Sequence, residues 1–186
     1  MVYTSETTEK SAVMRCAEMM SAAARTAPKA CGIDLIETMV LDGEDKDRLT
    51  AAMKEIGIEN GVPIFVRDGE NVDACHCIVL IGAGVAARRL NCSLCGVENC
   101  ALATKNGIAC ALSVNDLGIA VGSAAATAMD HRIDNRILFT AGQAALKAKF
   151  FSDDVKICFG IGLITAGKNI FFDRPLVGGE PINPSR

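Results

Sequence analysis

Apolar residues recur at helical spacing near the start of the chain. Val13, Ala17, Met20 and Ala24 stand four, three and four residues apart, which predicts a helix over Thr8–Arg25 with one buried stripe. Thr7 or Ser5 can cap its start, and Pro28 stops it. Leu35–Leu41 reads as a strand ending at the turn pair Asp42-Gly43. Asp45–Ile56 reads as a second helix, with Leu49, Met53 and Ile56 on one face and acidic residues in its first turn, where the helix dipole favours them. The short apolar runs Val62–Val66 and Cys77–Ile81 read as buried strands. After Asn91 the pattern breaks, and no long element is predicted before Cys110. Leu117–Met129, rich in Ala and Gly, predicts a helix packed closely on its neighbours, and Ile137–Phe150 predicts another. Val155–Ile164 and the shorter Ile170–Phe172 read as strands, and the tail GGEPINPSR as loop.

Helices and strands intermingle without a strict βαβ rhythm. The expected architecture is α+β, a single domain over residues 1–186 with helices around a central sheet and a cysteine-rich loop inserted at about 88–112. A chain of 186 residues, half of them apolar, can bury about 70% of its unfolded surface and does not need a metal to be stable. A metal site in it therefore asks for a functional explanation. The net charge of −3 leaves no basic excess for phosphates, which argues against a nucleic-acid partner. The start, MVYTSETTEKSAV, is no signal peptide, and no apolar stretch reaches the roughly 20 residues of a membrane span. The expected location is the cytoplasm, with no membrane insertion. That compartment keeps thiols reduced, so the nine cysteines are not expected to form structural disulfides, and their spacing carries the information.

Four of the nine stand close together. The segment N91-C-S-L-C-G-V-E-N-C-A101 followed by Cys110 has the form C-x2-C-x4-C-x9-C. The pair Cys92 and Cys95 can turn both sulfurs onto one centre. Cys100 lies four residues further, across Gly96, and Cys110 supplies a fourth thiolate. A cubane cluster needs four thiolates around a compact core, and short glycine-containing loops suit it. Buried free thiols would not be expected in so polar a loop. Zinc is the rival ligand, but a zinc ribbon wants two C-x2-C pairs and this segment has one. A zinc knuckle has histidine third, and it works with basic and aromatic residues that are scarce here.

The run C-S-L-C-G-V-E-N-C resembles the C-x2-C-G-x3-C core of the [4Fe–4S] domain in electron-transport subunits of the Rnf type and in corrinoid iron–sulfur proteins. Those families usually place the fourth cysteine further downstream than Cys110. The chain as a whole is similar to the DUF2148 family of bacterial and archaeal ferredoxin-domain proteins. The residues that carry this likeness are ARTAPKACGIDLIE (24–37), VLIG (79–82), LNCSLCGVENC (90–100), NDLGIAVGSA (115–124), DNRILFTAGQAA (134–145) and GKNIFFDR (167–174). The resemblance implies an iron–sulfur protein without naming a substrate. The opening helix, Ala27-Pro28, the following strand and helix, and DLGIAVGSA also resemble the nitroreductase fold. That likeness implies FMN at a homodimer interface beside the cluster. The arginine-rich stretch by which nitroreductases hold the flavin phosphate is replaced by MVYTSET, and the small polar residues after Ala-Pro by Lys29-Ala30-Cys31.

Other signals are weaker. Gly82-Ala83-Gly84-Val85-Ala86-Ala87 spells the dinucleotide fingerprint after a strand, but only a few residues remain for the helix that should follow, so a tightly packed turn is expected instead. Cys75-His76-Cys77 would place two sulfurs on one face of a strand, as a spare ligand or redox pair or as half-buried strand residues. His131 reads as a solvated loop residue, and Cys16, Cys31 and Cys158 as packed thiols. Lys168, Asn169 and Arg174 invite an anion site, against which stands a turn with local pairing. No residue is assigned as catalyst. Three functions follow: an iron–sulfur redox protein, either an electron-transfer module or an oxidoreductase, with an unidentified redox partner; a zinc-stabilised interaction module; and an FMN-dependent nitroreductase-like enzyme.

Overall fold

The first helix, α1 (Ser5–Thr26), buries the predicted stripe of Val13, Ala17, Met20 and Ala24, joined by Cys16. Its N-cap is Thr4, whose hydroxyl accepts the Thr7 N–H at 3.4 Å, so the cap lies one residue before Ser5 and three before Thr7, the two residues expected to cap it. In the computed structural model, residues 1–172 are described in full, with the backbone of 176–177 and 180–181. After α1 come β1 (Ile36–Leu41), α2 (Gly43–Asn60), α3 (Pro63–Ala74) and β2 (Cys77–Ala83). These are followed by the short α4 (Cys100–Lys105), α5 (Ala111–Asp130), β3 (Asp134–Leu138), α6 (Phe139–Lys147) and β4 (Ile157–Ile164). A small ladder, β5 (Leu176–Val177) with β6 (Glu180–Pro181), runs into the segment expected as loop.

The main sheet has the order β1-β2-β4-β3, every pair antiparallel. Its central strand, β2, is buried along its whole length, which is why its sequence is a continuous apolar run rather than an alternation. Period-two geometry divides it between two cores. Cys77, Val79, Ile81 and Ala83 meet α1 and α5 on one face, while Ile78 and Leu80 meet α2 and α6 on the other. This is the α+β architecture expected, with helices covering both faces of one sheet. On the second face α6 lies almost in backbone contact with β4: a Cβ on Gly142 would fall 1.7 Å from the Cys158 carbonyl oxygen, so no other residue fits there.

Three expected elements are corrected. Val62–Val66 is not a strand but the start of α3. Gly61 closes α2 in the left-handed conformation, and Pro63 at the first helical position supplies a preset φ without losing a needed N–H. The apolar residues beyond it then fall at helical spacing, with Phe65 and Val72 buried. Ile137–Phe150 divides into the end of β3 and α6. Asp134–Leu138 is claimed by pairing with Ile164–Gly160, a partner remote in sequence. Ile170–Phe172 is a turn, not a strand: Asn169 Oδ1 accepts the Phe171 N–H at 3.1 Å, and Phe171 folds in against Cys75 and Ile164.

The Gly82–Ala87 stretch turns out as the closely packed chain expected. Gly82 is still within β2, where a Cβ would lie 2.6 Å from Val155, and residues 84–91 form no helix. Among the described residues no helix is long and apolar enough to cross a membrane.

Candidate metal centre

Beyond β2 the chain leaves the sheet and is pinned at once. Gly84 N–H donates to the Leu35 carbonyl at 3.1 Å, and the Ser113 hydroxyl donates to the Ala86 carbonyl at 2.9 Å. It then runs through alternating left-handed residues, with φ of +59° at Arg89, +49° at Asn91 and +56° at Ser93. Such values are uncommon without glycine, and each costs about 1–2 kcal/mol unless the surroundings hold it. The holding contacts are visible. Gly96, at φ +78°, closes a turn by donating to the Ser93 carbonyl at 2.9 Å, and the Ser93 hydroxyl donates to the Glu98 carbonyl at 3.1 Å. Asn91 clasps the far side of the loop twice: its Oδ1 accepts the Cys100 N–H at 2.9 Å, and its own N–H points at Cys100 Sγ from 3.4 Å. Asn99 caps α4 by accepting the Leu102 N–H at 2.9 Å.

The return is equally fixed. Ile108 donates to the Ala103 carbonyl at 2.9 Å, and Cys110 donates to the Val85 carbonyl at 3.0 Å. That last bond ties the loop's exit to its entrance and stands Cys110 at the N-cap of α5. As a result Cys92, Cys95, Cys100 and Cys110 all line one narrow cavity of about 20 Å³. Ala87, Ala103 and Ala111 share its wall, and no carboxylate does. Among the described residues no three His, Cys, Asp or Glu side chains close on a single metal ion. The four cysteines share a cavity wall rather than a finished tetrahedral cage. Four sulfurs with no carboxylate or imidazole among the lining residues, and an amide aimed at one sulfur, fit the donor set of a thiolate-bound cluster.

Cys110 is electrostatically distinct. Partial burial pushes its thiol up, but the N–H groups of Ser113, Arg88 and Leu112 and the Ser113 hydroxyl outweigh that and leave it below the usual thiol range. The amides belong to the first turn of α5 and to the loop entrance, where a helix N-terminus favours an anion. Thiolate is the form that binds metal.

The remaining cysteines behave differently. Burial pushes Cys75, Cys77 and Cys158 up to about 12, and it also raises Cys16, so these stay protonated at neutral pH. Cys75 and Cys77 do not form a pair. The strand starts only at Cys77, so Cys75 ends α3, donates to the Asn71 carbonyl at 3.2 Å and packs with Phe171, while Cys77 faces α1. Cys31 departs from the packed thiol expected: it is exposed, with φ +58°. His76 sits 3.3 Å from the Thr165 hydroxyl, and His131 ends α5, exposed. At the suggested anion site the Asn169 amide donates to Asp134 at 3.0 Å, the local pairing of a turn; Arg174 lies outside the described residues.

One pair escaped the sequence reading. Arg88 and Asp116 form an ion pair at 2.7 Å with side chains only 2% and 3% exposed. Both Asp116 oxygens also face the Ala30 N–H, at 3.0 and 3.1 Å, while Arg88 Nε and Nη1 are buried without a hydrogen-bond partner among the described residues. This pair joins the Ala27–Gly32 turn, α5 and the loop entrance. Its only signal in the sequence was an aspartate inside the otherwise apolar run of α5.

An antiparallel four-stranded sheet between α1/α5 and α2/α6, carrying a four-cysteine loop, defines the class: a nitroreductase-type fold with a candidate cluster site. Nitroreductase CinD from Lactococcus lactis, solved with nicotinic acid, superposes with a TM-score of 0.59 at 16% identity, over 95% of this chain and 90% of that one. An FMN-dependent nitroreductase from Clostridium difficile superposes with 0.55 at 13% identity, over 83% and 76%. An NADPH:FMN oxidoreductase from Vibrio harveyi does so with 0.53 at 11%, over 83% of this chain but only 60% of its own. In sequence, a protein of Archaeoglobus fulgidus without an assigned function is 39% identical over 165 residues, 84% of this chain and 88% of that one. Residues 106–174 match the family described as uncharacterised proteins containing a ferredoxin domain, DUF2148. The chain belongs to this family. The matched stretch includes Cys110 and begins after the other three loop cysteines.

Proposed function

We propose that the chain is a redox protein that holds a [4Fe–4S] cluster on Cys92, Cys95, Cys100 and Cys110. The observation that carries this reading is the meeting of all four cysteines on one cavity wall, although the last lies ten residues beyond the third. A bound cluster would take up and release single electrons. The protein's part is to hold four thiolates, aim backbone N–H groups at them and admit an electron partner, with Cys92 exposed at the surface. The ferredoxin-domain description of the family supports the same reading. Chain purified without oxygen is expected to contain about four irons and four acid-labile sulfides, with broad visible absorption. Stoichiometric zinc without iron in that sample would instead establish the zinc-stabilised module.

A second reading, a flavin-dependent oxidoreductase, draws on the fold alone, since the solved neighbours include FMN enzymes by title. With it goes a homodimer. α5 buries one face and leaves Val114, Gly118, Ile119, Gly122 and Met129 exposed on the other, beside exposed Met19 of α1. A Cβ on Gly118 or Gly122 would meet nothing, so a second helix could approach closely there. Light scattering at micromolar concentration is expected to give twice the chain mass; a monomer would remove the shared-interface site. The cytoplasm is the proposed location, on the reduced thiols such a cluster needs.

A further inference from the structure

Four charged residues are buried among the described residues: Lys46, Asp68, Arg88 and Asp116. Three of them are fully spent on partners. The Lys46 ammonium donates to the Val72 and Asp73 carbonyls at 3.2 and 2.7 Å. Asp68 accepts from Arg67 at 2.7 Å on one oxygen and from the Thr140 hydroxyl at 2.8 Å on the other. Asp116 has both oxygens engaged, by Arg88 and by the Ala30 N–H. Arg88 alone keeps donors in reserve: its side chain is 2% exposed, and Nε and Nη1 have no hydrogen-bond partner among the described residues. Burying a guanidinium is costly, and leaving two of its nitrogens unpaired adds to the cost. The arrangement is a poor device for stability, so the spare donors ask for another use.

The place of Arg88 supplies one. Ala87, the residue before it, lines the cavity of the four thiols, and the Arg88 N–H faces the Cys110 sulfur. Cys110 caps α5 and Asp116 is the sixth residue of that helix, roughly 9 Å further along the axis at 1.5 Å per residue. The ion pair therefore stands behind the fourth thiol. No carboxylate lines the cavity, and Asp116 also reaches the Ala27–Gly32 turn. What stays unsatisfied behind the thiols is donors on a cation rather than an acceptor on an anion. Cluster potentials respond to net charge and to hydrogen bonds at the sulfurs. A charge shielded from water acts across roughly 10 Å with little screening by salt.

We propose that Arg88 is a built-in counter-charge for the cluster: its buried guanidinium favours the cluster with one electron more, and Asp116 sets how much of that charge is felt. That role rests on the cluster reading above. Reduction adds one electron, taken from a one-electron donor, and so one negative charge. A fixed positive charge close by stabilises that state and raises the potential. No proton moves and no bond to Arg88 forms or breaks, since the guanidinium stays charged throughout.

The test is a potentiometric titration of anaerobically purified chain, with an electrode and mediator dyes supplying the electrons, alongside iron and sulfide analysis of each sample. Asp116→Asn leaves the Arg88 charge uncancelled. The ratio of reduced to oxidised cluster at a fixed potential should then rise about tenfold, which is about 59 mV for a one-electron couple. Arg88→Met leaves the Asp116 charge uncancelled and should lower the ratio about tenfold. Arg88→Lys keeps the charge and should stay within about threefold of wild type. A merely structural role predicts a different pattern, because loosening the loop would shift the potential one way whatever the sign of the charge removed. Should Arg88→Met lose its iron, Arg88→Met combined with Asp116→Leu takes its place and should lie about fivefold or more below Asp116→Asn. The proposal is overturned if Asp116→Asn and Arg88→Met, or the double variant in its place, move the potential the same way, or if both stay within about twofold of wild type. The two readings fail separately. Wild-type chain without iron removes the cluster reading and the counter-charge with it, whereas a full wild-type cluster indifferent to both charges removes the counter-charge alone.

Discussion

Serine in place of Cys92, Cys95 or Cys100 is expected to take the iron content from about four per chain to below about one. Each of these side chains lines the same small cavity, and none has a spare cysteine beside it that could take its place. Serine keeps the volume but offers a hydroxyl that stays protonated at neutral pH, where the cluster needs a soft thiolate. Cys110→Ser should behave the same way, and here the structure goes further than the spacing did. The bond from Cys110 N–H to Val85 carries the fourth thiol back to the loop entrance, and the Ser113, Arg88 and Leu112 amides favour its ionised form. The comparison that matters is with Cys75→Ser and Cys77→Ser, whose thiols are packed in other parts of the core. Those variants should keep their iron. A full cluster in Cys110→Ser, with loss in either of the other two, would move the fourth ligand elsewhere.

The loop was legible because its information is short-range. Four cysteines, Gly96, and asparagines able to clasp backbone amides are all written within twenty residues. What spacing could not show is how the loop closes, since the Val85–Cys110 bond and the cavity's alanine wall are properties of folded backbone. The same division runs through the fold. α1, β1, α2, β2 and α5 carry patterns set by their own burial, and each was visible in outline. β3 was missed because Asp134-Asn135-Arg136 has little strand character by itself; the edge of β4 claims it. Val62–Val66 misleads because a run of β-branched and aromatic residues looks alike in a buried strand and at the start of a helix; Pro63 at the first helical position is what opens α3.

Cys75-His76-Cys77 shows the limit of period reasoning more sharply. Alternation predicts a shared face only inside one element, and the boundary between α3 and β2 falls between the two sulfurs. An open cleft beside Cys100, lined among others by Val85, Ile108 and Ile157, was invisible for a related reason. Its walls come from residues 85–109 and from 156–157, and only the antiparallel pairing of β2 with β4 brings them together.

Asp116→Ala is expected to destabilise the fold by about 3–5 kcal/mol, the range for removing one partner of a buried ion pair. That should lower the melting temperature by about 6–20 °C for a chain of this size. The pair is already short of partners: Arg88 Nη2 reaches Asp116 at 2.7 Å, while its Nε and Nη1 have none among the described residues. Taking the carboxylate away leaves a buried guanidinium with no counter-charge and strands the Ala30 N–H as well. Asp116→Asn keeps an acceptor for Ala30 and should fall between wild type and alanine. The double variant Arg88→Met with Asp116→Leu removes both charges and leaves only the Ala30 amide unpaired, a cost of about 1–3 kcal/mol, so it should be more stable than Asp116→Ala. Denaturant unfolding of the three variants decides the matter. A loss under about 0.5 kcal/mol in Asp116→Ala, the size of an ordinary surface change, would show that the pair does not brace the loop entrance. If it does, iron retention should fall from wild type through Asp116→Asn to Asp116→Ala, because the Arg88–Asp116 pair anchors the residue whose amide faces Cys110.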